Sequence, residues 1–298
     1  MIKKVATAPK SRARKAQFAK SSPKPALNLV GHDGEALSPS FGLRTKKDIV
    51  DNWLPRYTGM SLDKFGKYIL LVNFRHYLQS FADHYKVEVF GEDKPFQAAT
   101  ADDITIINFS MGSPNAATIM DLLGAIHPKA VLFLGKCGGL KAKNKVGDLI
   151  LPLAAIRAEG TSDDYFPPEV PALPAFALEK AVSTTIREFH RDYYTGTVYT
   201  TNRRIWEHDE EFKQHLQRVR AMAIDMETAT IFMVGFANQI PTGALLLVSD
   251  NPMTPEGVKT TASDNGVTTN FGMEHLKIGV ASLKQLINNG ETVKHLVF

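Results

Sequence analysis

The sequence has a single cysteine. Cys137 stands alone among 298 residues, so no internal disulfide can form. That usage suits a reducing compartment. No run of about 18 apolar residues occurs, so no membrane-spanning helix is expected. The first lysines have no apolar stretch behind them, so a secretory signal is not expected and a cytoplasmic location is. The nine histidines include no HxxxH or HExxH spacing, the common helical zinc pattern. GxSxG is missing, and with it the usual serine-hydrolase elbow. Neither a Gly-Lys-Ser/Thr phosphate loop nor a dinucleotide fingerprint is present. No metal and no cofactor is therefore expected.

Acid is missing from one region. Residues 1–32 hold eight Lys or Arg and no Asp or Glu. The formal charge of +4 is thus a basic tail added to a body with 27 Lys/Arg against 31 Asp/Glu. A basic body for nucleic acid is not supported. Residues 1–26 are rich in Lys, Arg, Ala, Ser and Pro. They hold too little apolar surface to offset ordering entropy, so the sequence predicts a disordered tail. Residues 27–65 read as an N-terminal extension, and 66–298 as the catalytic domain.

From Lys67 onward the pattern is regular. YILLVNF (68–74), KVEVF (86–90), DITIINF (103–109), AVLFLG (130–135), DLILPLAAIRA (148–158), GTVYTT (196–201), AMAID (221–225) and GALLLVSD (243–250) read as strands. RHYLQSFADHY (75–85), AATIMDLLGAI (116–126), METATIFMVGFANQ (226–239) and FGMEHLKIGVASLKQLI (271–287) read as helices. Apolar strands alternating with helices predict a mostly parallel sheet covered on both faces. Ligands in such folds sit at the carboxyl ends of the strands.

Four segments stand at such ends. In NFSMGSPNAAT (108–118), small residues before a helix let backbone N–H groups approach an anion. A plain tight connection explains the pattern equally well. In FLGKCGGLK (133–141), Gly135, Gly138 and Gly139 predict a turn of unusual backbone angles. Cys137 there, without a CxxC partner, reads better as a packed thiol than as a nucleophile. In AIDMETAT (223–230), Glu227 suits either a ribose diol or the dipole at a helix start. In LLLVSDNP (245–252), Ser249 and Asp250 leave a buried strand. Taken alone, Asp250 reads more readily as a turn cap than as a desolvated acid.

Together and in order, these segments resemble the nucleoside phosphorylase superfamily, and within it the AMP nucleosidases. The stretches that carry the resemblance are GSPNAATI (112–119), LGKCGGL (134–140), TGTVYTTNRRIWE (195–207), AIDMETATI (223–231) and LLLVSDNP (245–252). They lie within residues 66–290. The resemblance implies a three-layer α/β fold with a central mixed, partly barrel-like sheet flanked by helices. It also implies a homo-oligomer, typically a hexamer. It assigns Met226 and Glu227 to the ribose and Asp250 to protonation of the purine. Ser110, Met111 and Gly112 would line the ribosyl side. Cys137, Gly138, Tyr199, Trp206 and Ser249 would belong to the binding pocket. The implied reaction is hydrolysis of AMP to adenine and ribose 5-phosphate.

Two departures bear on the reaction. Phe133 stands where purine phosphorylases place an Arg that binds the attacking phosphate, and Lys136 follows Gly135. That favours water as the nucleophile. The segment after the first strand, VNFRHY (72–77), holds Arg75 where methylthioadenosine nucleosidases carry the acid that activates the water. Arg75 and Lys136 are thus expected to meet an anion on the substrate, and no residue is assigned to the water. Arg44, Lys46, Lys47 and Arg56 of the extension are candidates for reaching a neighbouring subunit's phosphate. No counterpart of the large regulatory N-terminal domain of some AMP nucleosidases is expected in this sequence. The alternatives are a phosphorylase or nucleosidase acting on an unphosphorylated nucleoside, and a non-enzymatic nucleotide- or nucleic-acid-binding protein that uses the basic tail.

Overall fold

The structure, a computed structural model, describes residues 45–254, 257–258 and 266–289. The basic tail at 1–26, Arg44 and the start of the extension lie outside the described residues. The described part belongs to one compact unit, Arg44–Phe298.

Strands β1 (Tyr68–Val72), β2 (Gln97–Ala101), β3 (Ile104–Asn108), β4 (Ala130–Gly139), β5 (Leu149–Ala158), β6 (Tyr194–Thr201), β7 (Ala223–Asp225) and β8 (Thr242–Asp250) form one sheet. Its order is β2-β3-β1-β4-β7-β6-β5-β8, and β4 also pairs with β8. That second pairing closes β4, β7, β6, β5 and β8 into a ring and leaves β1, β3 and β2 as an open wing. The sheet is mixed: β1 runs parallel to β3 and β4, and β4 to β8, while β4 meets β7 antiparallel. The expected central, partly barrel-like mixed sheet is what the chain forms.

Alternation along the strands feeds two cores. Ile69, Leu71, Val131 and Phe133 face one core, and Tyr68, Leu70, Val72, Leu132 and Leu134 face the other. The first core is covered by α1 (Lys46–Thr58), α3 (Ser113–Leu122) and α6 (Thr228–Ala237). The second is covered by α2 (Arg75–Tyr85), α4 (Phe176–Glu188) and α7 (Met273–Asn289). A nine-residue helix, α5 (Glu210–Arg218), packs Leu216 into a smaller cluster with Tyr199 and Trp206.

The sequence-based expectations fail at several places. KVEVF is not a strand. Lys86 takes φ 54° to close α2, donating its N–H to the Ala82 carbonyl. Val87 and Val89 then pack on the second core as irregular chain, and only Phe90 bridges to Ala98. The second strand is Gln97–Ala101, whose small residues gave no alternating signal. Helices α1, α4 and α5 were not anticipated. α1 lies within the supposed extension, yet Thr45 and Asp48 form its capping box and Val50 and Leu54 enter the first core. Lys46 donates to Asp121 and Asn238, and Lys47 pairs with Asp51, so both are engaged within their own chain.

The glycines of 135–139 are strand, not turn. β4 continues through them, and none has a positive φ. They serve close packing instead. A Cβ on Gly135 would sit 2.5 Å from the Phe133 ring and 3.0 Å from Leu246.

Glu179 of α4 is buried under β8, where Oε1 accepts the Ala244 N–H at 3.0 Å and Oε2 has no partner. Burial pushes its carboxyl well above the usual range, so it is held neutral. The unfolded chain releases that proton above its ordinary value of 4.5, so this group's contribution to stability declines as pH rises beyond it.

Two outcomes follow. Gly135→Ala overpacks the β4–β8 layer and lowers stability by about 1–3 kcal/mol in urea unfolding. Glu179→Gln leaves the urea midpoint unchanged near pH 4 and raises it near pH 8, because only the parent must hold a proton there.

Candidate functional site

The carboxyl ends of β1, β4 and β8, together with β7 and the segments after β3 and β6, enclose one pocket of about 310 Å³. β4 and β8 meet there at a bulge. Cys137 pairs with Val248 and Gly138 with Asp250, leaving Ser249 as the extra residue. A bulge re-aims the side chains that follow it. Ser249 is buried, with Oγ 2.6 Å from Asp250 Oδ1 and 3.2 Å from the Cys137 carbonyl. Asp250 lines the pocket from this bulge.

Glu227 lines the same pocket from the junction of β7 and α6. It is 2% exposed. The loop after β3 holds it. Ser110 takes φ 69°, its N–H donating to Asn108 Oδ1 at 3.3 Å. Gly112 takes φ 99°, a conformation that L side chains rarely adopt. Its N–H, at the start of α3, donates to Glu227 Oε1 at 2.7 Å. The Ser113 hydroxyl donates to the Met226 carbonyl at 2.6 Å. The anion this glycine loop meets is therefore a carboxylate of the same chain.

Behind Glu227 lies a second buried carboxyl, Asp225. Its Oδ2 accepts the Glu227 N–H at 3.2 Å, the Thr228 N–H at 2.8 Å and the Thr228 hydroxyl at 2.5 Å. Its Oδ1 accepts the Thr200 hydroxyl at 2.7 Å. Burial, and then the Asp225 charge, push Glu227 up to about 8, against the donors Gly112, Met226 and Asn73. Burial raises Asp225 also, but its four donors oppose this. The pair holds one proton near neutrality, and donor count puts it on Glu227.

Cationic side chains share the pocket. Lys136 is 8% exposed. Its Nζ lies 4.3 Å over the Phe74 ring and 2.7 Å from Thr268 Oγ1. Nearby His275 donates from Nε2 to the Leu245 carbonyl at 2.9 Å and accepts the Tyr77 hydroxyl at Nδ1. Burial pushes His275 down to about 4, so it stays neutral beside Lys136. Arg203 pairs with Asp209 at 2.7 Å, and Arg204 with Glu207 at 3.1 Å. Burial raises the Glu207 carboxyl, but backbone donors and Arg204 outweigh it and hold it below its usual range.

Of the residues expected at the site, Met111, Lys136, Cys137, Gly138, Trp206, Met226, Glu227, Ser249 and Asp250 line this pocket. Four do not. Arg75 starts α2, is exposed and faces Glu92 at 3.6 Å, because Asn73 and Phe74 turn inward ahead of it. Tyr199 is buried against Phe212 and His215 and supports Trp206 from behind. Ser110 and Gly112 shape the loop, and Gly112 acts through Glu227. Asn73, Phe74, Asp225 and Glu207 also line the pocket and were overlooked. Asn73 follows a strand directly and Asp225 precedes Glu227 by two, which was the available signal. Arg203 and Arg204 sat unremarked in a segment already singled out.

This architecture and site define a class. The phosphorylase superfamily model matches residues 67–286, and the chain belongs to that superfamily. Among relatives, the chain is similar to AMP nucleosidase of Bacteroides thetaiotaomicron VPI-5482, whose crystal structure superposes with a TM-score of 0.75 at 55% identity, covering 83% of this chain and 99% of that one. AMP nucleosidase of Escherichia coli (strain K12) is 28% identical over 284 residues, 80% of this chain. The chain spans 58% of that relative's length. Uridine phosphorylase of Vibrio fischeri ES114 shares the fold, with a TM-score of 0.67 at 20% identity over 75% of this chain and 94% of that one.

Ser113→Ala removes the buried bond to Met226 and lowers stability by about 1 kcal/mol. Thermal unfolding measures it, and an unchanged midpoint would mean the α3–α6 clasp contributes nothing.

Proposed function

We propose that this protein hydrolyses the N-glycosidic bond of AMP, giving adenine and ribose 5-phosphate. The observation that carries the reading is the placement of two carboxyls, Asp250 and Glu227, in one pocket also lined by Lys136, Arg203 and Arg204. Similarity to two AMP nucleosidases supports it.

Breaking C1′–N9 builds positive charge on the ribose and negative charge on the leaving purine. Asp250, at the bulge, donates its proton to purine N7, so the base departs neutral. A positioned acid of this kind contributes about 10²–10⁴-fold. Glu227 receives the ribose hydroxyls and, in its ionised form, stabilises the sugar cation electrostatically. Trp206 and Ile224 flank the base. The three cations match the 5′-phosphate, and His275, held neutral, adds no charge beside Lys136. Phe133, at the position of the phosphorylase Arg, is buried against Phe109 with ring centroids 5.8 Å apart and takes no part in binding phosphate. Water is therefore the nucleophile. The reading extends to a cytoplasmic homohexamer acting in nucleotide metabolism and purine salvage, supported by the lone buried Cys137 and by the superfamily.

Adenine release from AMP, followed by chromatography with and without inorganic phosphate, tests the reading. AMP is cleaved, adenosine far more slowly, and phosphate does not accelerate the reaction. Asp250→Asn lowers kcat by about 10²–10⁴-fold. Faster, phosphate-dependent cleavage of adenosine would instead identify a nucleoside phosphorylase.

A further inference from the structure

Three cations line the pocket, and their surroundings differ. The side chains of Arg203 and Arg204 are 42% and 52% exposed, so solvent and salt screen them. Lys136 is 8% exposed, and a charge at that depth acts on an anion through a lower dielectric. We propose that Lys136 is the residue that selects AMP over adenosine, and that Thr268 is the positioning residue that aims it. The assignment rests on the AMP hydrolysis proposed above and says which of the three cations reads the 5′-phosphate.

A lysine ammonium carries three donors on a flexible four-carbon stem, and the stem alone fixes no direction. Two contacts fix it here. Nζ donates to Thr268 Oγ1 at 2.7 Å, and it lies 4.3 Å over the Phe74 ring, whose face attracts a cation. The contacts come from separate parts of the chain. Phe74 stands between β1 and α2, and Thr268 opens the turn ahead of α7.

That turn is itself anchored. Thr268–Gly272 form one π-helical turn that runs into α7, a wide form frequent at functional sites. Val267 before it is buried in the second core. Phe271 rests on Gly147, where a Cβ would sit 2.6 Å from its ring. Gly272 rests on Tyr77, where a Cβ would sit 3.0 Å from that ring. Glu274 pairs with Arg191, and His275 bonds the Leu245 carbonyl and the Tyr77 hydroxyl. The Thr268 hydroxyl is thus presented by a fixed piece of backbone, and binding AMP does not have to order the lysine. AMP brings a phosphate that the preset ammonium meets with a charge-assisted hydrogen bond. Adenosine brings a neutral hydroxyl to the same place, and the buried charge gains little from it.

The test is the ratio of kcat/KM for AMP to that for adenosine, measured by adenine release. Lys136→Met lowers this ratio by about 10–100-fold. Arg203→Met and Arg204→Met each lower it by less than about fivefold. Thr268→Val lowers it by about tenfold, through KM for AMP rather than kcat, and Thr268→Ser, which keeps the hydroxyl, restores it. A ratio unmoved in Lys136→Met, or moved as far by either arginine variant, overturns the assignment to Lys136. A ratio unmoved in Thr268→Val, with both substrates slowed alike, makes Thr268 structural and overturns its role. Thr268→Ala carries the same expectation and decides the matter if Thr268→Val does not fold. Parent protein that releases no adenine from AMP, or releases it faster from adenosine, refutes the function itself. An AMP-selective parent with unmoved ratios in the variants refutes only this inference.

Discussion

The hydrogen bond from the Gly112 N–H to Glu227 joins the two halves of the site. It ties the start of α3 to the junction of β7 and α6, and those elements come from distant parts of the chain. Only a glycine reaches it without strain, because φ at this position is 99°. The Ser113 hydroxyl on the Met226 carbonyl fixes the same junction one residue earlier. With this clasp in place, the Glu227 carboxyl lines the pocket, and Asp225 is buried beside it. Two buried carboxyls so placed cannot both be charged at neutral pH, and the donors around them decide which one holds the proton.

The sheet closure makes the other half. β4 runs beside both β1 and β8, and its last residues are small where the packing is tight. Gly135, Gly138 and Gly139 let Phe133, Pro252 and Asn144 approach where a Cβ would collide. The bulge at Ser249 then turns Asp250 toward the pocket that Glu227 also lines. The bulge places Asp250, and the α3 clasp places Glu227.

Much of this could be read from the sequence because apolar strands ending in polar residues carry their own signal. β1, β3, β4, β5 and β8 were visible as buried runs, and Glu227 and Asp250 were found because each ends such a run. What escaped had weaker or misleading patterns. QAATA has no large apolar residue, so β2 was silent. KVEVF alternates but is spent on closing α2 and covering a core. The glycines after β4 suggested a turn, since composition cannot tell conformational freedom from the need for close contact. Arg75 was singled out for its charge, whereas the chain turns Asn73 and Phe74 inward and leaves Arg75 facing Glu92. Asp225 carries little signal because its role depends on four hydrogen bonds from three residues, and Thr200 among them lies 25 residues away.

The account stands on one proton, shared by Asp225 and Glu227 and resident on Glu227. Difference infrared spectra of the parent and Glu227→Gln, recorded across neutral pH, observe it directly. The account predicts a protonated-carboxyl band in the parent that fades as pH rises through about 8 and is missing from the variant. A band that persists unchanged in Glu227→Gln, or a parent with no such band at pH 6, would contradict it.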